Sequence, residues 1–397
     1  MRVVLTCLPF YSHLAPVVLP VARALRRAGH RVAVATAPGM APELARAGIE
    51  HLALPNVLTL AQLLERPEVL TSPGMPGDPE GSARAASARA EAGPLTAAFA
   101  GPLAGVFARD LIQACASWQP DLIVRECNEF GGHLAAGRLG VRQAVLDIAP
   151  GSASTLPSVR DALNGQRAEL GLDEVDDPWY PNRSFVAGFV PPEWYGDDAP
   201  PCYRLDEPSG VLDVSLLGLR DDRPLVLAGL GSVAATVVPE SQDLLELMIT
   251  ALGRLPCSGV VALGRDPRHW PGSRPANVRL LEFTPQRLLL ESAELFVSHG
   301  GFGGVAEAVR TGTPMVVLPL FSDQPGNADR VCALGLGRRL EPGGLDADLL
   351  TETCREVLGD NVYRHRVSAI SRSALACPGL DALAADLVLS RTEQLRG

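Results

Sequence analysis

The chain has 397 residues, room for two domains of ordinary size, and at 47% hydrophobic and 20% charged its composition is globular. A formal charge of −10 argues against nucleic acid as a partner. Every basic residue is an arginine, which excludes a Schiff-base lysine and a P-loop lysine.

The chain opens directly on a strand-like run, RVVLTCLPF, without the charged, apolar and cleavage regions of a signal peptide. Helix-like PVVLPVARALRRAG, strand HRVAVATA, a short helix and strand IEHLAL follow, an alternation that predicts a parallel sheet covered on both faces. Residues 56–95 break the pattern with Pro, Gly, Ala, Ser and charge, and read as a mobile loop or loose helix. PDLIVRE resumes as a strand, EFGGHLAAGRLG as a helix and QAVLDIA as a strand. Residues 151–212 read as an irregular linker, and a second alternating series begins at DRPLVLAGLGS. The expected division is 1–205, 213–380 and a terminal helix over 381–397. The fold class is thus α/β, two Rossmann-like doubly wound parallel sheets facing across a cleft. No apolar run is long enough for a membrane span. The scattered cysteines, with no Cys-x-x-Cys pair, fit a reducing cytoplasm.

The most informative stretch is FTPQRLLLESAELFVSHGGFGGVAEAVRTGTPMVVLPLFSDQ, from Phe283 to Gln324. A strand-like run ends at His299 and meets Gly300, Gly301, Gly303 and Gly304 before a helix-like run carrying Glu307. A glycine-rich turn between strand and helix aims N–H groups at an anion, and a histidine there adds a donor for phosphate oxygen. An acidic residue suits sugar hydroxyls and an aromatic suits a flat base. Together they read as a nucleotide-sugar site.

The same stretch resembles the donor signature of the UDP-dependent glycosyltransferases with the GT-B fold: aromatic-x-Pro-Gln, His-x-Gly-aromatic, a Glu eight residues after the His, then Gly-x-Pro-x4-Pro-x3-Asp-Gln. Gly312, Pro314, Pro319, Asp323 and Gln324 fall at each step. The resemblance implies that Phe283 stacks on the base, the Thr284 backbone reads its edge, and Gln286 completes the aromatic-x-Pro-Gln element. It also implies that His299 with the glycine turn holds the diphosphate, Glu307 the ribose, and Asp323-Gln324 the sugar. Ser232, in GLGS, is a further candidate for the diphosphate, or simply a turn serine. In this fold the last helix crosses back to the N-terminal domain.

Glycosyl transfer to a hydroxyl needs a base for the acceptor proton. His13, in FYSHLAP between the first strand and first helix, matches the family's His-x-x-Pro element with Pro16. Read alone it is a loop or helix-capping histidine. The family's orienting carboxylate is usually an Asp at the end of a later strand, the one that reads PDLIVRE in this chain. Here Glu126 takes that place, a departure in side-chain length, with an exposed cluster of Arg125, Glu126 and Glu129 as the alternative. Asp346-Ala-Asp348 spells a metal-binding DxD, but its place before an apolar-periodic run predicts a helix start instead. No metal and no cofactor beyond the donor co-substrate are expected.

The function these features predict is an inverting, metal-independent transferase (hexosyl type, EC 2.4). It would carry a sugar, which the resemblance together with compositional habit implies is a deoxysugar, from a dTDP- or UDP-sugar to a small lipophilic natural product. The acceptor would lie behind 56–95 near Phe99 and Phe107, and a lysine-free chain suggests a high-GC bacterium, where the resemblance implies decoration of polyketides or other antibiotics. A homodimer is compatible with this. The alternatives are a nucleotide-sugar 2-epimerase of the same fold, or a non-catalytic homologue bound to a partner enzyme.

Overall fold

In a computed structural model the described residues are 1–65, 99–150, 156–205, 218, 222–231, 233–234, 238 and 240–389. Ser232 and most of the 56–95 segment lie outside them. The chain divides into two compact units. One is Met1–Phe189 with Asp198–Asp206 and Pro378–Gly397; the other is Val190–Asp197 with Glu207–Cys377.

The first unit holds β1 (Arg2–Thr6), β2 (Arg31–Thr36), β3 (Glu50–Ala53), β4 (Leu122–Glu126), β5 (Arg142–Asp147) and β6 (Phe185–Gly188) in the order β3-β2-β1-β4-β5-β6. Every neighbouring pair is parallel. Val3, Val4 and Leu5 are wholly buried, as expected of a strand with helices on both sides. Helix Leu380–Leu389 packs on one face through Leu383, Ala384 and Leu387. Helix Pro102–Trp118 packs on the other through Phe107, Leu111, Cys115 and Trp118.

The second unit repeats the plan with β7 (Leu225–Gly229), β8 (Ser258–Ala262), β9 (Val278–Leu281), β10 (Leu295–Ser298), β11 (Met315–Val317) and β12 (Gly337–Arg339). Its order is β12-β11-β10-β7-β8-β9, again all parallel. Both sheets therefore have the dinucleotide-fold order, which reverses at β1/β4 in one and at β7/β10 in the other. Ligands of open parallel sheets bind beyond the strand ends at such a reversal.

Two expectations need correction. Residues 151–212 are not an irregular linker: within them lie helix Pro157–Glu169 and the sixth strand of the first sheet. The helix buries Val159, Ala162 and Leu163 on the core, but Asn164, Gln166 and Arg167 are buried as well, which blurs the apolar period. Two of the three are served by backbone: Asn164 exchanges two 2.9 Å bonds with Val175, and Arg167 Nε donates to Asp173 O at 2.6 Å. Second, Val190–Asp197, expected with the first domain, packs in the second unit, where Trp194 is 4% exposed and Arg330 Nε donates to its carbonyl at 2.6 Å.

Candidate active site

His13 leaves the end of β1 on a short helix, Tyr11–His13, that runs into a π-helical turn, Leu14–Val18, and then helix Leu19–Arg27. Pro16 explains the turn. It has no N–H for the carbonyl four residues back and its ring crowds that carbonyl, so the helix widens and Leu19 N–H reaches Leu14 O. Thr6 of β1 is in register with Arg125 of β4, so the end of β4 lies beside this helix start. Nδ1 of His13 stands 3.0 Å from Oε1 of Glu126. The His13 side chain is 23% exposed and that of Glu126 not at all. Glu126 also accepts from Asn128 N–H at 2.7 Å and from Leu8 N–H at 3.4 Å, which hold the carboxylate in place.

The exposed-cluster alternative fails on burial: Arg125, Glu126 and Glu129 are all 0% exposed. Glu129 accepts from the Thr6 hydroxyl and, with both oxygens, from Gly132 N–H at 2.9 Å. Burial, and less so the Glu126 charge, pushes its carboxyl up to about 7. Beside it Leu8, Val57, Phe99, Phe107 and Phe130 line an apolar pocket. Phe10 links pocket and histidine, edge-on to Phe99 at 5.8 Å and 5.1 Å from the His13 ring.

In the second unit Ser298 of β10 is in register with Gly229 of β7, which brings the turns after both strands together. His299 follows β10, and helix Phe302–Thr311 begins after Gly301 with no side-chain cap on its first N–H groups. That is the arrangement that receives an anion. Gly300 has φ +80°, a conformation that favours glycine, and a Cβ there would also strike Val317 at 2.5 Å. At Gly303 a Cβ would meet nothing within 4 Å, so the helix start faces open space. At Gly304 it would come within 3.1 Å of the Phe296 ring. Nδ1 of His299 is buried and has no hydrogen-bond partner among the described residues. Burial pulls this imidazole down to about 4, so at neutral pH it is an uncharged donor–acceptor.

The remaining signature residues fall into two groups. Phe283 is 68% exposed, a flat apolar face held in solvent. The Thr284 carbonyl accepts from Gln286 N–H at 2.8 Å. The Gln286 side chain donates to Glu307 Oε2 at 2.7 Å, and burial raises the Glu307 carboxyl above its ordinary range. At the start of helix Gln324–Ala333, Asp323 Oδ2 accepts from Asn327 Nδ2 at 2.7 Å. Gln324 is only 3% exposed, and its Oε1 accepts from Leu320 and Phe321 N–H at 2.8 and 3.0 Å. That oxygen is committed to the loop rather than to a sugar hydroxyl.

Three residues of this site escaped the sequence reading. Asn327 donates both to Asp323 and to Gly300 O at 2.9 Å, tying the sugar loop to the phosphate loop. Its place one helical turn after Asp323 was the available signal. Ser322, at φ +60°, is held left-handed just before Asp323. Gly231 lies against His299: a Cβ on it would sit 2.6 Å from Cε1. Asp346 is the helix N-cap that its position predicts, accepting from Leu349 N–H at 2.8 Å, while Asp348 pairs with Arg254. No described helix is long and apolar enough to cross a membrane.

Known proteins share this plan. Residues 23–216 match the family described as erythromycin biosynthesis protein CIII-like, N-terminal domain, and residues 246–389 match its C-terminal counterpart. The L-demethylnoviosyl transferase of Streptomyces niveus is 30% identical over 375 residues, covering 94% of this chain and 92% of that one. The glycosyltransferase SnogD from Streptomyces nogalater superposes with a TM-score of 0.73 at 24% identity, over 98% of this chain and 99% of the other. The glycosyltransferase VinC, solved in complex with dTDP, does so with a TM-score of 0.72 at 22% identity, over 98% of each chain.

The fold and these relatives define a glycosyltransferase of the GT-B class. Within that class, the chain belongs to the erythromycin CIII-like family of bacterial natural-product glycosyltransferases.

Proposed function

We propose that this enzyme transfers a sugar, with inversion and without a metal, from a dTDP- or UDP-sugar to a hydroxyl of a small lipophilic natural product, and that His13 is the base. The observation that carries the reading is the 3.0 Å contact between His13 Nδ1 and the wholly buried Glu126 carboxylate. A carboxylate at Nδ1 selects the tautomer protonated there, leaves Nε2 free of a proton, and stabilises the imidazolium once Nε2 has taken the acceptor proton. The acceptor oxygen then bonds to the anomeric carbon. The bond from that carbon to the diphosphate oxygen breaks, with its electron pair going to the diphosphate. Displacement from the opposite face turns an α-linked donor into a β-glycoside.

The donor roles follow the second unit: Phe283 and Thr284 for the base, Glu307 for the ribose, His299 and the Gly300–Gly304 turn for the diphosphate, Asp323 for the sugar. The N–H groups of that turn and His299 stabilise the departing charge in this reading, which is why no metal is invoked. The dTDP bound to VinC supports a thymidine diphosphate leaving group, and the deoxysugar goes with it. The apolar lining of Leu8, Val57, Phe99 and Phe107 beside the His13–Glu126 pair supports an apolar acceptor, although the pocket itself is small. Eight cysteines without a disulfide fit a reducing cytoplasm.

The test is His13→Ala, assayed with dTDP- and UDP-sugars against a panel of lipophilic alcohols, with and without EDTA. Turnover should fall by about 10² to 10⁴ with donor affinity intact, EDTA should have no effect, and the product should be the β-anomer. Near-normal turnover would overturn the assignment. Interconversion of the donor without an acceptor would indicate the 2-epimerase, and binding with no turnover by the wild type a non-catalytic homologue.

A further inference from the structure

Arg125 is the penultimate residue of the wholly buried strand β4, and among the described residues its guanidinium touches no carboxylate oxygen at hydrogen-bond distance. It donates instead to neutral carbonyl oxygens, four of the backbone and one of a side chain. Nη1 reaches Cys127 O at 2.8 Å, Glu126 O at 3.3 Å and Glu129 O at 3.4 Å. Nη2 reaches Pro181 O and Asn182 Oδ1, both at 2.6 Å, and the guanidinium carbon lies 5.7 Å from the Phe130 ring centroid. The loop after β4 is thus wound around one planar cation and fastened to the 181–182 turn. That loop carries Glu126 at its start, the Asn128 N–H that holds Glu126 Oε2, and Phe130 of the pocket wall. The nearby ionisable groups are Glu126, Glu129, Cys127, Asp147 and His133.

We propose that Arg125 is the positioning residue of the His13–Glu126 pair: it fixes the path of residues 126–130 so that Oε1 of Glu126 meets Nδ1 of His13. The inference rests on reading that pair as the base and its orienting group. A lysine could not replace it, because one ammonium cannot span two groups of acceptors on opposite sides of a planar fork.

The experiment reads the imidazole directly and needs no substrate. Full-length protein with ¹⁵N-labelled histidine is compared as wild type, Arg125→Met, Arg125→Lys, Glu126→Gln and the Arg125→Met/Glu126→Gln double variant, with His13 assigned from His13→Gln. The wild-type ring should be mainly the Nδ1–H tautomer. Arg125→Met and Arg125→Lys should each lower that fraction by roughly half or more. The double variant should match Glu126→Gln, since Arg125 acts only through Glu126. A folded Arg125→Met with a wild-type tautomer, or a double variant with a further shift of its own, overturns the proposal. If Glu126→Gln itself leaves His13 unchanged, the dyad reading has failed instead. Should Arg125→Met not fold, Asn182→Ala removes one partner of the guanidinium and should shift the tautomer the same way by less. A folded Asn182→Ala with an unshifted ring then overturns the proposal.

Discussion

A Cβ on Gly301 would stand 2.5 Å from Nε2 of His299. The same Nε2–Cε1 edge of the ring lies against a second glycine: a Cβ on Gly231 would stand 2.6 Å from Cε1 and 2.9 Å from Nε2. Two backbone segments therefore approach this edge of the imidazole closely, which they can do because neither carries a side chain there.

Gly301→Ala should accordingly displace the ring rather than be absorbed. Since φ at Gly301 is −59°, the backbone itself tolerates alanine and the fold should survive. Calorimetry should find dTDP or UDP affinity down by about tenfold or more, from loss of a well-placed phosphate donor. Unchanged affinity would mean that His299 does not hold the diphosphate in this orientation.

A second expectation comes from the same histidine. Free, it is held down at about 4 by burial. A diphosphate beside it favours the charged form, so the bound-state value must be higher, and binding must take up protons on the acid side of neutrality. Affinity should strengthen as pH falls from 7 toward 5. Calorimetry at pH 5.5 in buffers of different ionisation enthalpy should show an uptake of a few tenths of a proton more for wild type than for His299→Gln. The nucleotide's own phosphate titration is common to both. Equal uptake by the two proteins would remove His299 from the diphosphate site.

Much of this was legible because the chemistry is local in sequence. Alternating apolar runs such as VVLT and LFVS announced parallel strands, and the His299–Glu307 and Gly312–Gln324 spacings each fall within one strand–turn–helix unit. What was illegible depends on contacts far along the chain. Arg125 reads as a surface charge until the carbonyls of the 126–129 loop and Pro181 are seen around it. The bonds from Leu320 and Phe321 N–H to the Gln324 oxygen, which close that loop, are likewise invisible in the motif spacing. Helix Pro157–Glu169 disappears into apparent linker because its buried Asn164 and Arg167 find partners at residues 175 and 173, which no periodicity reveals.

Glu129 makes a stability prediction. Its folded-state value of about 7 lies above the ordinary 4.5, so the native state keeps a proton that the unfolded chain has released. The sign follows: this group's contribution is fully present below about pH 4.5 and is lost as pH rises to about 7, on the order of 3 kcal/mol in all. His133 and His299, both held neutral below 6.5 by burial, oppose it on the acid side. The wild-type profile mixes the three, but Glu129→Gln isolates one. Its Tm relative to wild type should climb steadily from pH 4.5 to 7.5. A flat difference would mean that Glu129 is ionised in the native state throughout.

Asp323 separates sugar from nucleotide. Its Oδ2 holds Asn327, which also holds Gly300 O, so the carboxylate supports the phosphate turn at one remove. Asp323→Asn keeps an acceptor for Asn327 but loses the charge that suits sugar hydroxyls, whereas Asp323→Ala loses both. If the carboxylate binds the sugar, both variants should weaken an intact nucleotide-sugar donor by about tenfold. Free nucleoside diphosphate should bind the asparagine variant as it binds wild type, and the alanine variant within about threefold, through the slackened Asn327. Calorimetry with dTDP and a dTDP-sugar distinguishes the cases. Equal losses for both ligands in both variants would show that Asp323 serves only to hold the phosphate turn, and the sugar would need another partner.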